Sequence, residues 1–125
     1  MANEIKGLVN TTTGVAVADA DVRYLNFLDW KVTRTSTAVS ANTTTQTIIG
    51  VTDNSSARTI TLDTDDVVDG RIIIIKDEAG TAASANNITI DTEGAELIDG
   101  AASITITANY GVARVYSNGT NWFSW

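Results

Sequence analysis

From Thr47 to Trp125, apolar and polar residues alternate in short runs broken by turn residues. Ile88 and Ile90 alternate with Thr89 and Asp91, and Ile104 and Ile106 with Ser103, Thr105 and Thr107. A period of two built from β-branched residues gives a pleated strand one apolar face. The pattern predicts strands near residues 47–52, 57–62, 71–77, 87–91, 103–108, 111–117 and 121–125. Glu93-Gly94, Asp99-Gly100 and Asn118-Gly119 punctuate the later runs. The last of these joins VARVYS to TNWFSW and predicts a two-residue type I′ hairpin, a turn that needs two positive φ angles. The expected fold class is all-β, a small antiparallel sandwich or jelly-roll-like head.

Residues 1–42 have a different character and are expected to form an N-terminal arm, with residues 43–125 as the β head. Asn10 to Thr13 is a polar turn, and Thr33 to Gln46 is a Ser/Thr-rich connection with no Gly or Pro to fix its path. Between them Val22, Leu25, Leu28 and Val32 fall at helical spacing, with Asp19 or Asp21 available as an N-cap. That spacing predicts a short helix around residues 20–29. Alternation of Val15 and Val17 allows an extended arm instead.

Ile72 to Ile75 is the sharpest physical clue. A strand of an antiparallel sandwich buries one face and wets the other, yet both Ile72/Ile74 and Ile73/Ile75 are apolar. Both faces therefore call for cover, either from a neighbouring subunit or from the chain's own N-terminal arm. The absence of Pro, and of strand-flanking Lys other than Lys76, leaves the sheet edges without their usual protection and points the same way.

Two carboxylate groups invite a chemical reading. Asp63, Asp65, Asp66 and Asp69 lie within DTDDVVDG, where oxygen ligands could hold calcium. The spacing departs from an EF-hand loop, and a solvated acidic turn is the simpler reading. Asp91, Glu93, Glu96 and Asp99 raise the question of paired carboxylates, but nothing in the spacing sets the separation glycosidase chemistry requires. Near the C terminus, alternation puts Phe123 and Trp125 on one strand face and Trp122 on the other. The expectation is that Phe123 and Trp125 pack inward. Trp122, with Tyr110 and Tyr116, is then the candidate for contact with a partner or a glycan.

Composition narrows the function classes. No His and no Cys rules out imidazole bases, thiolate chemistry and a disulfide framework. No nucleophile–base pair, phosphate loop or metal-ligand pair can be assigned, so neither an enzyme nor a cofactor is expected. A net charge of −7, with eight scattered basic residues, argues against nucleic acid as a partner. No apolar run approaches the ~20 residues that span a bilayer. MANEIKGLVN lacks the blocks of a signal peptide, so a soluble chain made in the cytoplasm is expected. Five Asn-x-Ser/Thr sequons, from Asn10 to Asn118, follow from a composition rich in Thr and Asn.

From Ile48 onward the chain resembles a β module that recurs in structural proteins of tailed phages: tail fibres, tail spikes and virion surface proteins. The matching pieces are TITL (Thr59–Leu62), GRIIIIKDEAG (Gly70–Gly80), NNITIDTEGAELIDGAASITI (Asn86–Ile106) and VYSNGTNWFSW (Val115–Trp125). ADADVRYLN is similar to the arm elements that precede such heads. The resemblance implies an intertwined homotrimer on the outside of a virion. Its interface would use Ile72, Ile73, Ile74 and Ile75, and its N-terminal arm would bind a capsid or tail protein. The short chain from Met1 leads to the expectation of a capsid decoration or head-spike protein. Alternatives are a tail-fibre tip that binds a host receptor, and a carbohydrate-binding module or adhesin.

Overall fold

A computed structural model describes residues 31–41, 47–83 and 85–125. Two units compose the chain, Met1–Trp30 and Lys31–Trp125, and every strand described belongs to the second. They are β1 (Lys31–Thr35), β2 (Val39–Ala41), β3 (Thr47–Val51), β4 (Arg58–Leu62), β5 (Ile72–Asp77), β6 (Ile88–Thr92), β7 (Ser103–Ile106), β8 (Val112–Ser117) and β9 (Trp122–Ser124). A 3₁₀ turn, Thr64–Asp66, follows β4. The helix expected around residues 20–29 lies outside the described residues.

Seven of the nine strands fall where the alternation places them, and the chain is all-β. Their pairing is not that of an antiparallel sandwich. A five-stranded sheet has the order β1-β3-β5-β8-β9, and a four-stranded sheet the order β2-β4-β6-β7. Through β6 successive strands alternate between the sheets, so β1/β2, β3/β4 and β5/β6 form three stacked coils. Their like strands pair in parallel, β1 with β3 and β3 with β5 in one sheet, β2 with β4 and β4 with β6 in the other. This is the winding of a short solenoid. The ladder continues round the corners, where Thr52 N donates to Thr35 O (2.8 Å) and Glu78 N to Val51 O (2.9 Å). After β6 the direction reverses. β7 lies antiparallel on β6, β8 on β5 and β9 on β8.

The register explains why aliphatic β-branched residues build this fold. Val39, Ile60, Ile90 and Ile104 stand in one row across the four-stranded sheet, and Ile49 pairs with Ile75 across β3 and β5. Like side chains stack on like, and the two inner faces close on a single core. That core contains Ile49, Val51, Ile60, Leu62, Ile73, Ile75, Ile88, Ile90, Ile98, Val115 and Trp122. The continuous apolar run of β5 is typical of a parallel strand.

β1 and β2 correct the expectation for Thr33–Gln46. Much of this Ser/Thr-rich stretch is strand, because β3 and β4 offer it open parallel edges to pair with. Among the described residues, pairing thus already includes Lys31–Thr35 and Val39–Ala41, upstream of residue 43.

Buried polar side chains fix the corners. The Asp77 carboxylate, fully buried, accepts from the backbone N–H groups of Gly80 (2.8 Å), Ala82 (3.0 Å) and Tyr110 (3.0 Å). Buried Asn54 donates from Nδ2 to Asn86 O (3.1 Å), and its Oδ1 accepts from the Thr81 hydroxyl. The second coil's corner is thereby tied to the third's. The Asp99-Gly100 turn has two positive φ angles, 52° and 84°, and the Asp99 carboxylate accepts from Ser124 N (3.1 Å) and the Ser124 hydroxyl.

The C-terminal hairpin also differs from expectation. Ser117 pairs with Trp122, so the connection has four residues, and only its Gly119 has positive φ (87°). The Asn118 side chain accepts from Thr120 N (3.0 Å) and Asn121 N (2.9 Å). This Asx turn replaces the two-residue type I′ turn, because it satisfies two backbone donors with one carbonyl.

Candidate functional site: the outer face of the five-stranded sheet

One face of the five-stranded sheet packs on the core, and the other carries three rows set by the register. Val32, Ile48, Ile74 and Arg114 form the first, which Trp125 extends through its N–H bond to Arg114 O (3.2 Å). Arg34, Gly50, Lys76 and Val112 form the second, and Ile72, Tyr116 and Phe123 the third. Val32, Val112, Tyr116 and Trp125 are exposed, at 50%, 44%, 41% and 55%. Ile48, Ile72, Ile74 and Phe123 are half-buried. So much apolar surface in one place makes this face the candidate for an interaction.

Aromatic rings organise one end. Tyr116 lies 5.6 Å from Phe123 and 5.9 Å from Trp125, centroid to centroid. The Arg114 guanidinium stands 5.8 Å from the centre of the Trp125 ring, a cation–π distance. Arg34 Nε bonds Glu78 Oε1 at 2.7 Å. Glu78 lies against Gly50, where a Cβ would come within 2.5 Å of its carboxyl carbon. Lys76 donates to Tyr110 O and stands 5.9 Å from the Tyr110 ring. The face thus holds three cations and one carboxylate on a chain whose net charge is −7.

This geometry sorts the residues singled out from sequence. Ile72 and Ile74 lie on the outer face, but Ile73 and Ile75 are fully buried in the core. Half of the apolar run lies in the core, because β5 is one layer of a two-sheet fold. Trp122 is fully buried and is no contact residue. It shares its strand face with Val115 and Ser117, both buried. Phe123 and Trp125, expected inside, face outward for the same reason. Tyr116 belongs to the face. Tyr110 is 64% exposed at its edge, with φ 58° and its ring over Gly80. Arg114, Val112 and Val32 were missed. The signal for the first two was their alternation with Val115, which is the better anchor of strand facing in β8.

Several of the carboxylates have separate structural duties. Asp63 caps the 3₁₀ turn by accepting from Asp65 N (2.8 Å), and Asp66 pairs with Arg71 in a buried ion pair. In the β3–β4 turn, the Asp53 carboxyl is held below the usual carboxylate value, first by hydrogen bonds from Ser55 and then by Arg58. Asp91 and Glu96 line a shallow cleft of about 470 Å³ beside Thr89, Leu97 and Ser103, and Asp91 Oδ1 is buried without a partner. Among the described residues, no group of three or more acidic side chains is arranged to hold a metal ion. No helix among them is long and apolar enough to cross a membrane.

The chain matches no protein-family model, and no curated protein sequence matches it.

Proposed function

We propose that this chain is a non-enzymatic structural protein of a tailed-phage virion, a homotrimeric decoration or head-spike protein displayed on the particle surface. The observation that carries the assembly is the outer face of the five-stranded sheet, where Val32, Val112, Tyr116 and Trp125 stand exposed around half-buried Ile72 and Ile74. Ile72 and Ile74 are already half-buried, so covering what remains of them contributes roughly 1.5–3 kcal/mol per subunit before association costs. The virion assignment is supported by the resemblance carried by GRIIIIKDEAG and VYSNGTNWFSW. Residues 1–30 would anchor the protein to a capsid or tail component. Antibody raised to the chain should label purified particles of the phage that encodes it at repeated surface positions. Particles free of the protein would reject the assignment.

A second reading rests on the cluster of Tyr116, Phe123 and Trp125, which has the stacking surface of a sugar platform. On this reading the protein is a receptor-binding fibre tip or an adhesin. Saturable glycan binding abolished by Trp125→Ala would favour it over assembly.

A further inference from the structure

The geometry points to a head-to-tail contact between copies, in which Arg114 of one chain receives the carboxylates of the Asp65–Asp69 turn of the next. It rests on the trimer proposed above and specifies how that trimer closes. Arg114 sits between Ile74 and Trp125 on an apolar face, and its charge meets no carboxylate among the described residues. Arg34, Arg58 and Arg71 each have one, Glu78, Asp53 and Asp66. A half-buried guanidinium is a rigid fork made for bidentate pairing with a carboxylate, and here that pairing is left to another molecule.

The same chain carries a matching surface. In the turn between β4 and β5, Asp65 and Asp69 are exposed, and their carboxylates bond to nothing among the described residues. Val68 stands between them, 49% exposed. In the other acidic loop Glu96 is bonded to Thr64 and Gly94, and Asp99 to Ser124, so that loop offers one exposed uncommitted carboxylate, Glu93, where this turn offers two. An apolar tip flanked by two free carboxylates complements an apolar face centred on an unpaired guanidinium. Two copies of the face set against each other would instead oppose Arg114, Lys76 and Arg34 to their own kind, which costs affinity. A contact between two different patches can close into a three-membered ring when it turns each copy by a third of a circle, whereas a two-fold contact ends at a dimer.

Charge exchange in the full-length chain tests this. Arg114→Glu alone, and Asp65→Lys with Asp69→Lys, should each weaken association on the order of 100-fold or more and leave folded monomers, shown by sedimentation and circular dichroism. Combining all three substitutions should restore the trimer, because the reversed face again meets a reversed turn. Arg114→Gln, a milder change, should weaken association without altering the far-ultraviolet spectrum. A parent trimer that survives Arg114→Glu, or a combined variant that stays monomeric while folded, overturns the contact and leaves the trimer standing. A parent that is itself a monomer overturns both.

Discussion

Trp122 and Trp125 are three residues apart and end on opposite sides of one sheet. The buried indole fills the core beside Val115 and Ile98, and its Nε1–H has no acceptor among the described residues. Trp122→Ala should therefore lower stability by roughly 3–5 kcal/mol. Trp122→Phe should cost much less, since it removes an unsatisfied donor along with part of the ring. Phe123→Ala and Trp125→Ala should melt within about 1 kcal/mol of the parent in the separated chain, as surface substitutions do. Thermal melts of the four variants decide this, and a Phe123→Ala collapse would invert the facing again. Asp77 makes a second prediction at this scale. Asp77→Ala strips an acceptor from three backbone donors at a buried corner and should cost about 3 kcal/mol or more in urea unfolding. Neither residue's role was legible in advance. Mass alone argued for Phe123 and Trp125 inside, while the deciding evidence was the parity of Trp122 with Val115. Nothing local distinguishes the Asp of IIIIKDEAG from any solvated one.

Strands were legible and their partners were not. Apolar patterning located β3 to β9, because the inner face of each strand must bury large apolar side chains whatever it pairs with. The choice between parallel and antiparallel pairing depends on the connections. Those between β3 and β4 and between β5 and β6 cross from sheet to sheet, which sets like strands side by side in parallel. β1 and β2 escaped notice because KVTRT and VSA carry too little apolar signal, and only the parallel edges of β3 and β4 order them. Two outcomes follow. Removing residues 1–30 should leave the fold of the remaining unit intact, whereas removing 1–42 strips β1 and β2, bares the edges of β3 and β4, and should lower the melting temperature and promote aggregation. Hydrogen exchange should be slowest in β5, which is flanked on both sides and buried on its inner face, and faster at the edge strands β1 and β9.

At the scale of the whole molecule, the four Ile of β5 express one problem divided in two. Ile73 and Ile75 are covered by the opposite sheet, and Ile72 and Ile74 face outward among exposed aromatic and aliphatic neighbours. No third layer lies over that face among the described residues, and in the proposed trimer another copy supplies one. Ile74→Asp, placed in the first row beside Arg114, should abolish assembly while leaving the core untouched. Sedimentation equilibrium of the full-length parent at micromolar concentration measures the claim itself. The account predicts a species of three times the 13.2 kDa chain mass. A folded species with the mass of a single chain would contradict it.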